Sequence, residues 1–192
     1  MDEIGPRVMR LQRAAWRVRA ASRVRCELPF ALALMTDARA HEGLVSLMER
    51  LPGPPVLIVF RHYGLPPPER ARLARDAYAA ARAHGYPFVV AGGGLPADGA
   101  HNARGPGLRT ASVHSLGEAA AKRALRPHLR LVSPVFPTRS HPGAPALGPA
   151  RAAAIAAWAG PSFALGGVDG GSASRLVGTP FVGVAAMGAF AP

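Results

Sequence analysis

The chain has 192 residues, about half of them hydrophobic, which bounds it to one domain with a substantial core. Its net charge of +12 comes almost wholly from arginine, spread along the chain without a zinc spacing, recognition helix or aromatic–basic module; nucleic-acid binding is therefore the lesser reading, and a phosphorylated small molecule the simpler anionic partner. No uncharged apolar run approaches the roughly 18 residues of a membrane span, the arginine-studded start lacks the apolar centre of a secretory signal, and the lone Cys26 excludes an internal disulfide, a set that fits a cytoplasmic protein with no membrane partner.

Residues 1–25 contain a basic amphipathic helix that starts near Ile4. Ile4, Val8, Leu11, Ala15 and Val18 recur at spacings of four and three and share a face, and Arg7, Arg10, Arg13, Arg17 and Arg19 fill the rest. The expectation is a surface helix laid over one end of a single domain formed by residues 26–192. From Phe30 a rhythm sets in. "FALALMT" is a short apolar run with a polar end, "HEGLVSLMER" a helix, and "PVLIVFRHYG" a second apolar run with a polar end. "PPPERARLARDAYAAARAHG" is a helix with prolines before its first turn, an early Glu69 and a closing Gly85. "YPFVVAGGG", "DGAH" and "LRTASVHS" read as strands, and "LGEAAAKRALR" as a helix. "LRLVSPVFPT" leads to the helix "GPARAAAIAAWAG"; "PSFALGGVDGG" precedes a short helix at 172–177, and "PFVGVAAMGAF" is the last strand.

Apolar runs without polar alternation, interleaved with helices, imply a parallel sheet covered on both faces. With residues 98–101 as a short strand, the steps add up to a compact (β/α)8 TIM barrel with a basic N-terminal helix. Residues 92–98 and 102–108 leave no room for a third or fourth outer helix, and too little chain follows the last strand for a full eighth. The flank near strands three, four and eight is then open; the N-terminal helix, a second copy of the chain in a homodimer, or both, would cover it.

Polar residues collect at the C-terminal strand ends, where such barrels work: Thr36, Arg61, His62, His101, His114 and Thr138. Gly166 and Gly167 follow the seventh strand and Gly188 the eighth, two turns able to offer backbone N–H groups to a phosphate. A tight turn explains either one alone equally well. Thr138, Ser140 and His141 stand in one proline-bounded loop, able to donate to an anion or ring nitrogen and to carry a proton. His114 ends a strand just before a helix whose N-cap is Ser115, with Glu118 at capping-box spacing. Arg61 is a plausible phosphate clamp or the partner of a nearby carboxylate. No Asp or Glu pair marks a strand end after residue 40, so no metal ligands are assigned.

"SVHSLGEA", "SPVFPTRSHPGAPALG", "ALGGV" and "GVAAMGAF", in this order and spacing, resemble thiamine phosphate synthase and its relative, the thiazole tautomerase. The likeness is most specific over residues 109–190 and extends more weakly back to about residue 30. It implies a barrel acting in thiamine biosynthesis, joining a hydroxymethylpyrimidine diphosphate to a thiazole phosphate with magnesium and releasing pyrophosphate. Thr138 and Ser140 stand at the family's hydroxyl positions, Gly166 and Gly167 at its phosphate glycines. Met187 and Gly188 stand at its second phosphate turn, where a serine is usual. Arg61 keeps the family's arginine, but its usual flanking glutamine and lysine are Val59 and Tyr63. "AGG" replaces the Asn-Asp-Arg after strand three, "HNARGP" lacks the carboxylate expected after strand four, and His141 replaces a lysine. Magnesium is implied by the resemblance while its usual carboxylate ligands are absent.

Three readings follow. One is a divergent synthase in which Arg61 and His141 supply part of the metal's charge. The second is a tautomerase-like isomerase with His114 as acid and base. The third is a non-catalytic protein that binds a thiazole phosphate.

Overall fold

The computed structural model describes residues 4–40, 43–51, 55–138, 143 and 145–191. Eight short strands close into a parallel barrel in chain order. They are β1 (Leu32–Met35), β2 (Leu57–Phe60), β3 (Phe88–Ala91), β4 (Gly99–His101), β5 (Leu108–Val113), β6 (Leu129–Val132), β7 (Ser162–Ala164) and β8 (Val184–Ala186). The runs LALM, LIVF and FVVA are buried at every position, as strands sandwiched between a barrel interior and an outer layer must be. Alternation sorts their side chains into two cores. Ala33, Met35, Leu57, Val59, Val89, Leu131, Phe163 and Ala185 fill the interior. Leu32, Leu34, Ile58, Phe60, Phe88, Val90, Val132 and Val184 face the helices.

Those helices are α1 (Ile4–Ala21), α2 (Leu44–Glu49), α3 (Pro67–Ala83), α4 (Leu116–Ala121) and α5 (Pro149–Ala159). Proline opens α3, where a missing N–H costs nothing, Glu69 sits in its first turn, and Gly85 leaves it at φ 68°. Ser115 caps α4 by accepting from the Glu118 N–H. The "KRAL" end of that stretch tightens into a 3-10 turn, and "SASRL" after β7 is also 3-10. The loops after β3 and β4 carry no helix, as their lengths require.

Two devices compensate for the missing cover. At β4, the loop 102–107 folds back, so that a Cβ on Gly105 would touch that of Ala100 at 3.4 Å. Arg109 binds this loop through the carbonyls of Gly105 (3.3 Å) and Gly107 (3.2 Å), and Asp98 accepts from Tyr78 of α3 and from the Phe88 N–H. At β8 and β1 the cover is α1. It does not cap an end of the barrel; it runs down the side. Arg7, in its first turn, donates to the carbonyls of Ala189 (3.0 Å) and Ala191, beyond the C-terminal end of β8. Arg19, in its last turn, donates to Val182 (2.6 Å), Leu28 (2.7 Å) and Phe30, at the opposite end. Val8, Leu11, Ala15 and Val18 are fully buried between these anchors, within the same outer core as Leu32, Leu34 and Val184. Complete burial of one such leucine stabilises by about 1.5–3 kcal/mol.

Candidate functional site

The site is built from the C-terminal strand ends. In β2, Leu57 and Val59 point inward and Ile58 and Phe60 outward, so Arg61 continues the inward row and His62 the outward one. His62 stacks on Phe60 with ring centres 4.8 Å apart and shares a 2.8 Å hydrogen bond between its Nδ1 and Thr36 Oγ1. The Arg61 N–H donates to the same hydroxyl at 3.0 Å. Thr36 and His62 thus tie β1 to β2, while the Arg61 side chain faces the barrel mouth. Its guanidinium lies 3.7 Å from Asp37 Oδ2, and its Nε is buried without a hydrogen-bond partner among the described residues. Asp37, the residue after Thr36, was not foreseen from the sequence. Burial would raise its carboxyl pKa, but hydrogen bonds from the Arg39 side chain and backbone, and the charges of Arg39 and Arg61, hold it below the usual carboxylate range.

At β3 the end of the strand is occupied by an arginine from the side. Arg70 of α3 donates to the carbonyls of Ala91 and, at 3.4 Å, Arg61, with its guanidinium over the Phe60 and Tyr63 rings at 5.5 and 5.7 Å. At β4 and β5 a polar network fills the interior. His101 Nδ1 pairs with Thr110 Oγ1 at 2.8 Å; its Nε2 accepts from Asn102 Nδ2 and meets Ser112 Oγ, both at 3.1 Å. Burial first, then the charges of Arg61 and Lys122, push the His101 pKa down to about 3, so the ring is neutral. Asn102 Oδ1 is already shared between the Ser112 N–H (2.9 Å) and Lys122 Nζ (3.2 Å).

His114 stands one residue past β5, with its side chain 55% exposed. Glu118 of α4 holds it, accepting from its backbone N–H at 2.8 Å and pairing with its Nδ1 at 2.7 Å, and reaches Lys122 at 2.6 Å. The Glu118 carboxyl is opposed by burial but stabilised as the anion by Lys122 and His114, and its pKa is lowered.

The loops after β6 and β7 interlock. The Val135 N–H donates to Leu165 O at 2.8 Å and the Phe136 N–H to Gly166 O at 3.0 Å. A Cβ on Gly166 would lie 2.7 Å from Pro134 Cα, and one on Gly167 2.3 Å from Pro137 O. Both glycines also adopt positive φ, 90° and 64°. The pair is therefore demanded by the packing of one loop on the other, which also aims the second loop at the mouth. Asp169 closes the turn by accepting from the N–H groups of Gly171 (2.9 Å) and Ser172 (2.7 Å). After β8, Met187 lies against the interior core and Gly188 begins a 3-10 turn. Among the described residues, the N–H groups of Gly167 and Gly188 donate to nothing. Thr138, the residue after Pro137, is half-buried, while Ser140 and His141 lie outside the described residues.

Magnesium does not fit the described residues. At the ends of β3 and β4, where the resemblance expects carboxylates, stand Ala91–Gly93, whose first carbonyl is taken by Arg70, and Asn102, whose oxygen has two donors. Asp37, a carboxylate just past the end of β1, is committed to two arginines, and no described group of three or more His, Cys, Asp or Glu is placed to hold a cation.

The family model for thiamine monophosphate synthase matches residues 92–190. Among solved structures, thiamine phosphate pyrophosphorylase from Pyrococcus furiosus superposes with a TM-score of 0.65 at 21% identity, over 81% of this chain and 84% of that one. No curated protein matches the sequence.

Proposed function

The chain belongs to the thiamine monophosphate synthase family, and from that premise we propose that it binds a thiazole phosphate between the loops after β6, β7 and β8 and couples it to hydroxymethylpyrimidine diphosphate. The observation that carries this reading is that, among the described residues, neither the N–H of Gly167, in the interlocked loops, nor that of Gly188, in the turn after β8, has an acceptor. Two such donors suit a phosphate, and Thr138, which follows the Pro137 whose carbonyl packs on Gly167, would serve the ring. The other substrate would lie toward Arg61. In the coupling, the carbon–oxygen bond to the diphosphate breaks and the thiazole nitrogen supplies its lone pair to the same carbon. The work left to the protein is positioning and neutralising the departing charge. Arg61 is suited to neutralising that charge, because it faces inward, Asp37 orients it, and its buried Nε has no partner among the described residues.

A specific observation favours a second reading, isomerisation of a thiazole carboxylate phosphate. The His114–Glu118 contact at 2.7 Å gives a carboxylate-oriented imidazole at the end of β5, able to move a proton between two ligand atoms. One assay separates the two. Purified protein, with both synthase substrates and magnesium supplied, is expected to form thiamine phosphate, and His114→Ala is expected to retain most of that activity. No product at high enzyme concentration, together with turnover of the thiazole tautomer that His114→Ala abolishes, would replace the first reading by the second.

A further inference from the structure

The phosphate turns do not stand alone; α1 leans on both. A Cβ on Gly170, in the turn after β7, would meet the Arg10 Cβ at 3.2 Å and the Leu11 backbone nitrogen at 3.6 Å, so this loop lies directly against the helix backbone. Arg7, one turn earlier, grips the turn after β8 through two carbonyls, Ala189 and Ala191. Those carbonyls belong to the 3-10 turn Gly188–Phe190 and the residue after it. A turn this short makes few bonds of its own: the Phe190 N–H donates to Met187 O at 3.1 Å, and the Ala191 N–H to Gly188 O at 3.4 Å, longer than the usual range of about 2.7–3.2 Å. The planar guanidinium, with several donors in a fixed fork, is the group suited to hold two nearby carbonyls at a set angle.

We propose that Arg7 is a positioning residue for phosphate recognition: through Ala189 and Ala191 it fixes the direction of the Gly188 N–H, while the neighbouring turn of α1 braces the Gly167 loop. The helix that replaces the missing outer cover is thereby part of the ligand site, although it touches no ligand. This rests on the phosphate reading of the two turns given above.

The test compares binding of hydroxyethylthiazole phosphate with that of its unphosphorylated alcohol, by calorimetry, in the full chain. Arg7→Met keeps the aliphatic stem and removes the donors. It is expected to weaken the phosphate by roughly tenfold, the scale of one charge-assisted hydrogen bond, and to leave the alcohol unchanged. Arg7→Lys, which can reach one carbonyl, should fall between and carries the test if Arg7→Met does not fold. Arg19→Met removes a similar set of bonds at the far end of α1. It should lower the melting temperature while leaving the preference for phosphate intact. Equal loss of preference in the Arg7 and Arg19 variants would reduce Arg7 to a structural residue, and wild-type phosphate affinity in Arg7→Met would overturn the proposal outright. If the wild type itself binds phosphate and alcohol equally, the phosphate reading fails and this one falls with it.

Discussion

At the scale of single residues, His101 shows how the barrel replaces a charge with a neutral network. It is 2% exposed, both ring nitrogens are engaged, and two cations lie near enough to oppose its protonation. The folded-state pKa near 3 sits below the ordinary 6.5. Between those values the unfolded chain binds a proton that the folded chain refuses. Stability is therefore fully present above about pH 6.5 and falls as the pH drops toward 3. From pH 6.5 to pH 5 this one group should cost about 1.5 kcal/mol. Urea unfolding at the two pH values should show that loss in the wild type and a smaller one, by about that amount, in His101→Gln. Equal losses in both would mean that the ring is not held neutral. The same neutrality means that positive charge at the mouth comes from Arg61, from Lys122 and from Arg70, not from His101.

At the scale of elements, the loops after β6 and β7 behave as one piece, and glycine is what lets them meet. Gly167→Ala would place a methyl 2.3 Å from Pro137 O and 2.8 Å from Phe136 Cβ, at a φ of 64°. Gly178 has a similar φ of 80° but open space around it. Its alanine variant should therefore cost only the backbone term of about 1–2 kcal/mol. Gly167→Ala should cost at least about 1 kcal/mol more, since a crowded neighbour must also move. Denaturant midpoints of the two variants measure the difference, and equal costs would show that the loops are not interlocked.

The strands were legible because each is a short apolar run whose burial on both faces removes polar alternation. The absent third and fourth helices were legible as simple lack of chain. The mouth was legible only in outline. Asp37 gains its meaning from Arg61, 24 positions away in sequence, and Arg70 from a carbonyl at the end of another strand. Gly166 and Gly167 looked like a phosphate signature, yet their first cause is the backbone of Pro134–Pro137, which no spacing rule announces.

For the whole molecule, the arginine-rich composition has a structural use. Arg7, Arg19, Arg70 and Arg109 all donate to backbone carbonyls at strand ends or in loops where a larger barrel would have helices. Four of the chain's 23 Lys and Arg side chains thus serve backbone carbonyls, a use of positive charge that calls for no polyanionic partner. The helix α1 is the largest such substitution. It begins beside Ala191 at the C-terminal end of the barrel and finishes near Leu28 and Phe30 at the other, the course an eighth outer helix would take if it followed β8 directly. The fold then depends on the presence of α1 in that groove and not on which end of the chain supplies it. A circular permutant that starts at residue 26 and carries residues 4–25 after Ala191, through a short glycine-rich linker, should fold with the same far-ultraviolet circular dichroism and a similar melting temperature. A chain of residues 26–191 alone would expose Leu32, Leu34, Val184 and Phe190, and should aggregate. If the permutant aggregates like the truncated chain, α1 is not an interchangeable eighth helix, and its hold on the barrel must come through the 22–31 connection instead.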